Sequence, residues 1–162
     1  AANWQRKKQL DTLLRAYPDL EVTLVVGQSH SVLAAADAVL VASGTAALEA
    51  LLFEKPMLVC YRLSPISYSL FRRKLKVPFV SLPNLLAGQK VVEELLQEQV
   101  QPQPIAECLT QLLFDPLVAQ KQRGQLANIH QQLACGADIA AAQAVIEVIA
   151  EQGAEVSQRH RI

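Results

Sequence analysis

Residues 38–42 read Ala-Val-Leu-Val-Ala, apolar at every position, and run through Ser43-Gly44 into a helical pattern beginning at Thr45. A strand with no polar side fits only a sheet covered on both faces. A glycine turn leading straight into a helix is the outgoing limb of a βαβ unit. The next apolar run, residues 56–60 (PMLVC), supplies the parallel partner. Residues 22–26 (VTLVV), closed by Gly27, read as a preceding strand, and residues 79–81 as a brief fourth. Between them lie helical patterns over residues 4–17 (Leu10, Leu13, Leu14 and Tyr17 at helical spacing), 29–36, 45–53 and 64–76. The expectation is an α/β fold: a Rossmann-like parallel sheet of about four strands with helices on both faces. Its ligands would sit beyond the carboxyl ends of the strands.

From Gly88 onward the pattern is helical, over residues 90–97, 104–114, 116–133 and 138–150, with a Pro, Gly or Asp near each boundary. We therefore expect a sheet-bearing core over residues 1–90, a helical extension over 91–150 and a frayed tail over 151–162. At 162 residues and 51% hydrophobic, the chain can bury a core without disulfides or metal. Fifteen basic and fifteen acidic residues cancel, which argues against nucleic acid as a partner. No apolar run reaches the ~18 to 20 residues of a membrane span. The basic start, residues 1–9, does not continue into the apolar segment of a signal peptide. The chain opens Ala1-Ala2 without Met, as a fragment or a trimmed start would. Cys60, Cys108 and Cys135 show no metal-ligand spacing and read as packing thiols of a reducing compartment. His30, His130 and His160 carry no nucleophile-elbow pattern with them.

The stretch best suited to chemistry is residues 42–49, ASGTAALE. A buried strand ends, glycine permits a tight backbone, and the amide protons opening the helix attract an anion such as a phosphate. The hydroxyls of Ser43 and Thr45 add donors, and Glu49, one turn on, suits ribose hydroxyls. An ordinary capped helix, with Glu49 answering the helix dipole, explains the same residues. Asn84 is either a site residue or a turn residue after Pro83. Arg62, Arg72, Arg73, Lys74 and Lys76 interleave with Leu70, Phe71, Leu75 and Phe79. That pattern fits a helix lying on an anionic membrane surface, or a solvated helix face over a core.

ASGTAALE, then Lys55-Pro56-Met57, Tyr61-Arg62 and residues 80–88 (VSLPNLLAG), together resemble the lipid-A-disaccharide synthase family. The likeness continues through residues 93–97 (EELLQ) and into Asp138 and residues 141–145 (AAQAV), covering most of residues 30–150. It implies a glycosyltransferase of two Rossmann-like domains that needs no cofactor and no metal. Its substrates would be UDP-2,3-diacylglucosamine and 2,3-diacylglucosamine 1-phosphate (lipid X), and its products lipid A disaccharide, formed with inversion, and UDP. It implies diphosphate contact from Ser43, Gly44 and Thr45, ribose contact from Glu49, and an active-site loop at Asn84. Such a protein would be cytoplasmic, at the inner face of a membrane, with the basic cluster toward lipid and a second copy as a candidate partner. The family's Pro-Gly-Ser-Arg loop has no match before residue 20, and its N-terminal acceptor domain is not in the sequence. We therefore expect the donor-binding part, incomplete at its N-terminal side and incomplete as a catalyst. Two other readings stand beside it. One is a non-catalytic module of the same fold serving in binding or assembly; the other is a related donor domain for a different sugar nucleotide.

Overall fold

The structure is a computed structural model, describing residues 3–42, 44–64, 68, 79–134, 136, 141–146 and 148–149. Its elements in chain order are α1 (Trp4–Leu14), α2 (Ser29–Ala35), β1 (Val39–Ala42), α3 (Thr45–Leu52), β2 (Met57–Tyr61), α4 (Leu82–Ala87), β3 (Glu93–Leu96), α5 (Pro102–Phe114) and α6 (Pro116–Leu133). A single turn of 3₁₀ helix, Gln97–Gln99, follows β3, and residues 141–146 and 148–149 are helical. The three strands are parallel in the order β1-β2-β3, with Val39 opposite Met57 and Val59 opposite Glu94.

β2 is the middle strand, and its side chains alternate between two cores. Met57 and Val59 join Ala47, Ala50 and Leu51 of α3, Val91, Val92, and Leu126 and Ile129 of α6. Leu58 faces the other way, onto Leu95 and Leu112, with Cys60, Ile105, Cys108 and Leu109 packed around them. Met57, Leu58 and Val59 are fully buried. That double burial is why residues 56–60 carry no polar alternation.

Three expectations need correction. Residues 90–97 were expected to be helical, yet residues 93–96 form β3, so the sheet runs past the boundary expected at residue 90. Glu-Glu-Leu-Leu has little intrinsic strand preference. An edge position tolerates charge, and Glu93 is held by Lys90 at 2.6 Å. Residues 79–81 are not a strand. The amides of Val80 and Ser81 donate to the carboxylate of Glu94 instead of to a ladder. Residues 22–26 are not part of the sheet: 22–25 carry no regular structure and Val26 is in a bend, with Val22 and Thr23 exposed. Apolar, β-branched composition favours extended backbone, and a strand exists only where its polar groups enter a ladder.

Residues 102–114 and 116–133 are helical, close to the expected bounds, and of the helix expected over 138–150 only residues 141–146 and 148–149 are described. Asp115 lies between α5 and α6, and its carboxylate accepts from the amides of Leu117 and Val118 at 3.0 and 3.3 Å, capping α6. The helix expected over residues 64–76 and the tail over 151–162 lie outside the described residues, apart from Ser64 and Tyr68.

Candidate functional site

A cleft of about 570 Å³ opens beside β1. Thr23, Gly27 and Gln28 form one wall, Val32 and Leu33 of α2 contribute another, and Val41, Ala46 and Glu49 complete it. The size is that of an ordinary small-molecule site. Ala46 and Glu49 are three residues apart on α3 and share a face, which is why both reach the cleft. The side-chain amine of Lys55 donates to the carbonyl of Ala34 at 2.9 Å. This bond ties the end of α2 to the residues after α3, and so joins two walls of the cleft.

Gly44 occupies the N-cap of α3 with φ 137° and ψ −156°, and makes no side-chain cap bond. That conformation is essentially reserved for glycine. Glycine brings no side chain to cap the first amides of the helix, which open just before Ala46 on the cleft wall. Gly44 and Thr45 are exposed. Ser43 lies outside the described residues. Glu49 is partly exposed, and its Oε2 lies 3.9 Å from Nε2 of His30 on α2. The His30 ring in turn packs against Phe53, with centroids 5.5 Å apart. The sequence does not pair His30 with Glu49, because no periodic signal links residues on separate helices.

Asn84 is not in a loop. It lies in α4, which carries Pro83 in its first turn and is ended by Gly88 in a left-handed conformation at φ 64°. Asn84 is fully buried, and its amide is committed on both sides. Oδ1 accepts from the amides of Val91 and Val92 at 2.7 and 2.8 Å. Nδ2 donates to the carbonyl of Val92 at 2.9 Å and to Oε1 of Glu94 at 2.8 Å. Proline is well placed in a first helical turn, so Pro-Asn here begins a helix, not a turn. Of the basic cluster, Arg62 is exposed just after β2. Arg72, Arg73, Lys74 and Lys76 lie outside the described residues.

Two further polar residues escaped the sequence reading. Glu94 accepts from Val80, Ser81 and Asn84. Gln97, buried and at φ 51°, accepts from the amide of Leu63 at 2.6 Å and donates to the carbonyl of Leu63 at 3.1 Å. Gln97 thereby holds the backbone just past the carboxyl end of β2, and Glu94 holds the backbone entering α4. A second cavity, of about 300 Å³ and lined by Met57, Lys90, Glu93, Cys108 and Lys121, lies at the amino ends of β2 and β3. Open parallel sheets place their ligands at the other end.

Among the described residues no cluster of His, Cys, Asp and Glu is arranged to hold a metal ion. No described helix is long and apolar enough to cross a membrane.

The lipid-A-disaccharide synthetase family matches residues 1–148, so the likeness reaches N-terminal of the motifs that carry it. The lipid-A-disaccharide synthase of Alcanivorax borkumensis is 46% identical over 149 residues, which is 92% of this chain and 39% of that protein. The enzyme of the same name from Azotobacter vinelandii is 47% identical over 148 residues, 91% of this chain and 38% of its own length. That of an Enterobacter species is 44% identical over 147 residues, 90% and 38%. The chain thus spans about two-fifths of the length of these curated relatives. A match over nearly the whole chain, on a parallel α/β frame with Ala46 and Glu49 of α3 at one cleft, places the chain in the lipid-A-disaccharide synthase family of glycosyltransferases.

Proposed function

We propose that this chain is the donor-binding part of a lipid-A-disaccharide synthase, holding UDP-2,3-diacylglucosamine while the sugar passes to lipid X. The observation that carries this reading is the cleft beside β1, where Ala46 in the first turn of α3 and the carboxylate-bearing Glu49 share one wall. In this reading the pyrophosphate lies against the amides opening α3, aided by the hydroxyls of Ser43 and Thr45. The carboxylate of Glu49 accepts from the ribose hydroxyls. Placing both beside the carboxyl end of β1 follows the general rule for open α/β sheets.

The diphosphate is the leaving group of the transfer. Negative charge grows on it as the glycosidic bond to the sugar breaks, so donors fixed at the helix start stabilise it more in the transition state than in the ground state. The attacking hydroxyl of lipid X must lose a proton to a general base. We assign that base to a part of the enzyme beyond the two-fifths of its relatives' length that these residues span. In the same reading Asn84, with its amide fully committed, serves the site by shaping α4, and the basic residues from Arg62 to Lys76 face the membrane that carries both lipids.

Amide chemical-shift mapping with UDP tests this reading. Shifts should concentrate at residues 44–49 and 23–29. Shifts confined to the cavity at the amino ends of β2 and β3, or none at millimolar UDP, would overturn it.

A further inference from the structure

We infer that Glu94 is a positioning residue for the nucleotide-sugar site, acting through α4 on α3; this rests on the reading of that site given above. Glu94 is in the edge strand β3, where a carboxylate brings no packing advantage. It is nonetheless the centre of a polar cluster. It accepts from four donors: the amides of Val80 and Ser81 at 3.0 and 2.9 Å, the Ser81 hydroxyl at 2.6 Å and the Asn84 side chain at 2.8 Å. All four are neutral donors to a charged acceptor, the stronger class of hydrogen bond. Ser81 is fully buried with them.

The cluster leads to the site by contiguous contacts. Glu94 fixes Val80 and Ser81, and with them the point where the chain enters α4. Through Asn84 it fixes the backbone of Val91 and Val92. The side chains of Val91 and Val92 lie in one core with Ala47, Ala50 and Leu51 on the inner face of α3, and α4 packs directly on α3. The outer face of the same helix carries Ala46 and Glu49 of the cleft. A packed core transmits small displacements instead of absorbing them. Loss of the Glu94 carboxylate therefore moves the helix that presents the pyrophosphate and ribose contacts.

The test is UDP titration calorimetry on the whole chain, with thermal melting and amide exchange in parallel. Glu94→Gln keeps the side-chain volume but offers an amide where donors converge. It should deprotect the amides of residues 80 and 81 and weaken UDP binding about tenfold. Ser81→Ala removes one donor, leaves the carboxylate, and gives a milder loss of about threefold, which keeps the inference testable if Glu94→Gln fails to fold. Leu112→Ala is the control, since it opens the core on the other face of the sheet, which contains no residue of α3. It should lower the melting temperature with UDP affinity unchanged. Wild-type affinity in Glu94→Gln or Ser81→Ala, or losses that merely track melting temperature across all three variants, would overturn the inference. Failure of the unsubstituted chain to bind UDP would overturn the donor-site reading itself, and this inference with it.

Discussion

The side-chain oxygen of Gln122 lies 2.6 Å from the backbone nitrogen of Met57, across 65 residues of sequence. Met57 opens the central strand and Gln122 lies in the middle of α6, both buried. This bond satisfies an amide at the start of β2 and pins the long helix to the sheet. Gln122→Ala leaves that amide buried without its acceptor, a loss of about 1–3 kcal/mol. Urea denaturation should show the midpoint falling with the slope unchanged. A midpoint equal to wild type would show that α6 is not fastened there.

Gly44 makes a different kind of demand. A Cβ built on it meets nothing within 4 Å, so space is no obstacle. Its backbone, at φ 137° and ψ −156°, is the obstacle. Gly44→Ala should destabilise the fold by about 1–3 kcal/mol through strain alone. The chain would relieve that strain by reshaping the start of α3, so UDP affinity should fall as well. A melting temperature equal to that of the unsubstituted chain would contradict the reported geometry.

Much of this was legible from sequence where side chains state their own surroundings. Residues 38–42 and 56–60, apolar throughout, announced a sheet covered on both faces, and the glycine turn after residue 42 announced βαβ. What stayed hidden was polar and long-range. β3 carries Glu93 and Glu94 because Lys90 pairs with the first and the backbone of residues 80 and 81 needs the second. Neither need is written in a local pattern, so EELL reads as helix. Residues 22–26 failed in the other direction, since strand-like composition does not by itself place a segment in the sheet. Asn84 was singled out for chemistry by family likeness. The structure gives its amide four bonds inside the fold, a role that only the positions of Val91, Val92 and Glu94 reveal.

Cys60 and Cys108 lie on the α5 side of the sheet, both partly buried. Burial pushes both thiols above their ordinary value. The neighbouring thiol adds to the shift of Cys60; Glu93 and Glu107 add to that of Cys108, while Lys90 opposes them. The folded chain thus keeps these protons to higher pH than the unfolded chain does. Their contribution to stability is fully present below the unfolded thiol pKa of about 8.5 and is lost as pH rises through the folded values. In a Cys135→Ser background, thiol labelling at pH 7.5 should be slower folded than unfolded, and the urea midpoint should fall between pH 8 and pH 10. Labelling as fast as an unfolded thiol would contradict the burial.

Glu49 tests the site without testing the fold. Its side chain is partly exposed and belongs to no buried network, so Glu49→Ala should leave stability within about 0.5 kcal/mol. If the carboxylate receives ribose hydroxyls, the same change removes charge-assisted bonds and weakens nucleotide binding tenfold or more. The most direct measurement is calorimetric titration of the chain with UDP and with uridine, repeated on Glu49→Ala. The account predicts saturable UDP binding, tighter than uridine because of the diphosphate, and weakened in Glu49→Ala at unchanged melting temperature. UDP binding no tighter than uridine, or equal affinity with and without the Glu49 carboxylate, would contradict it.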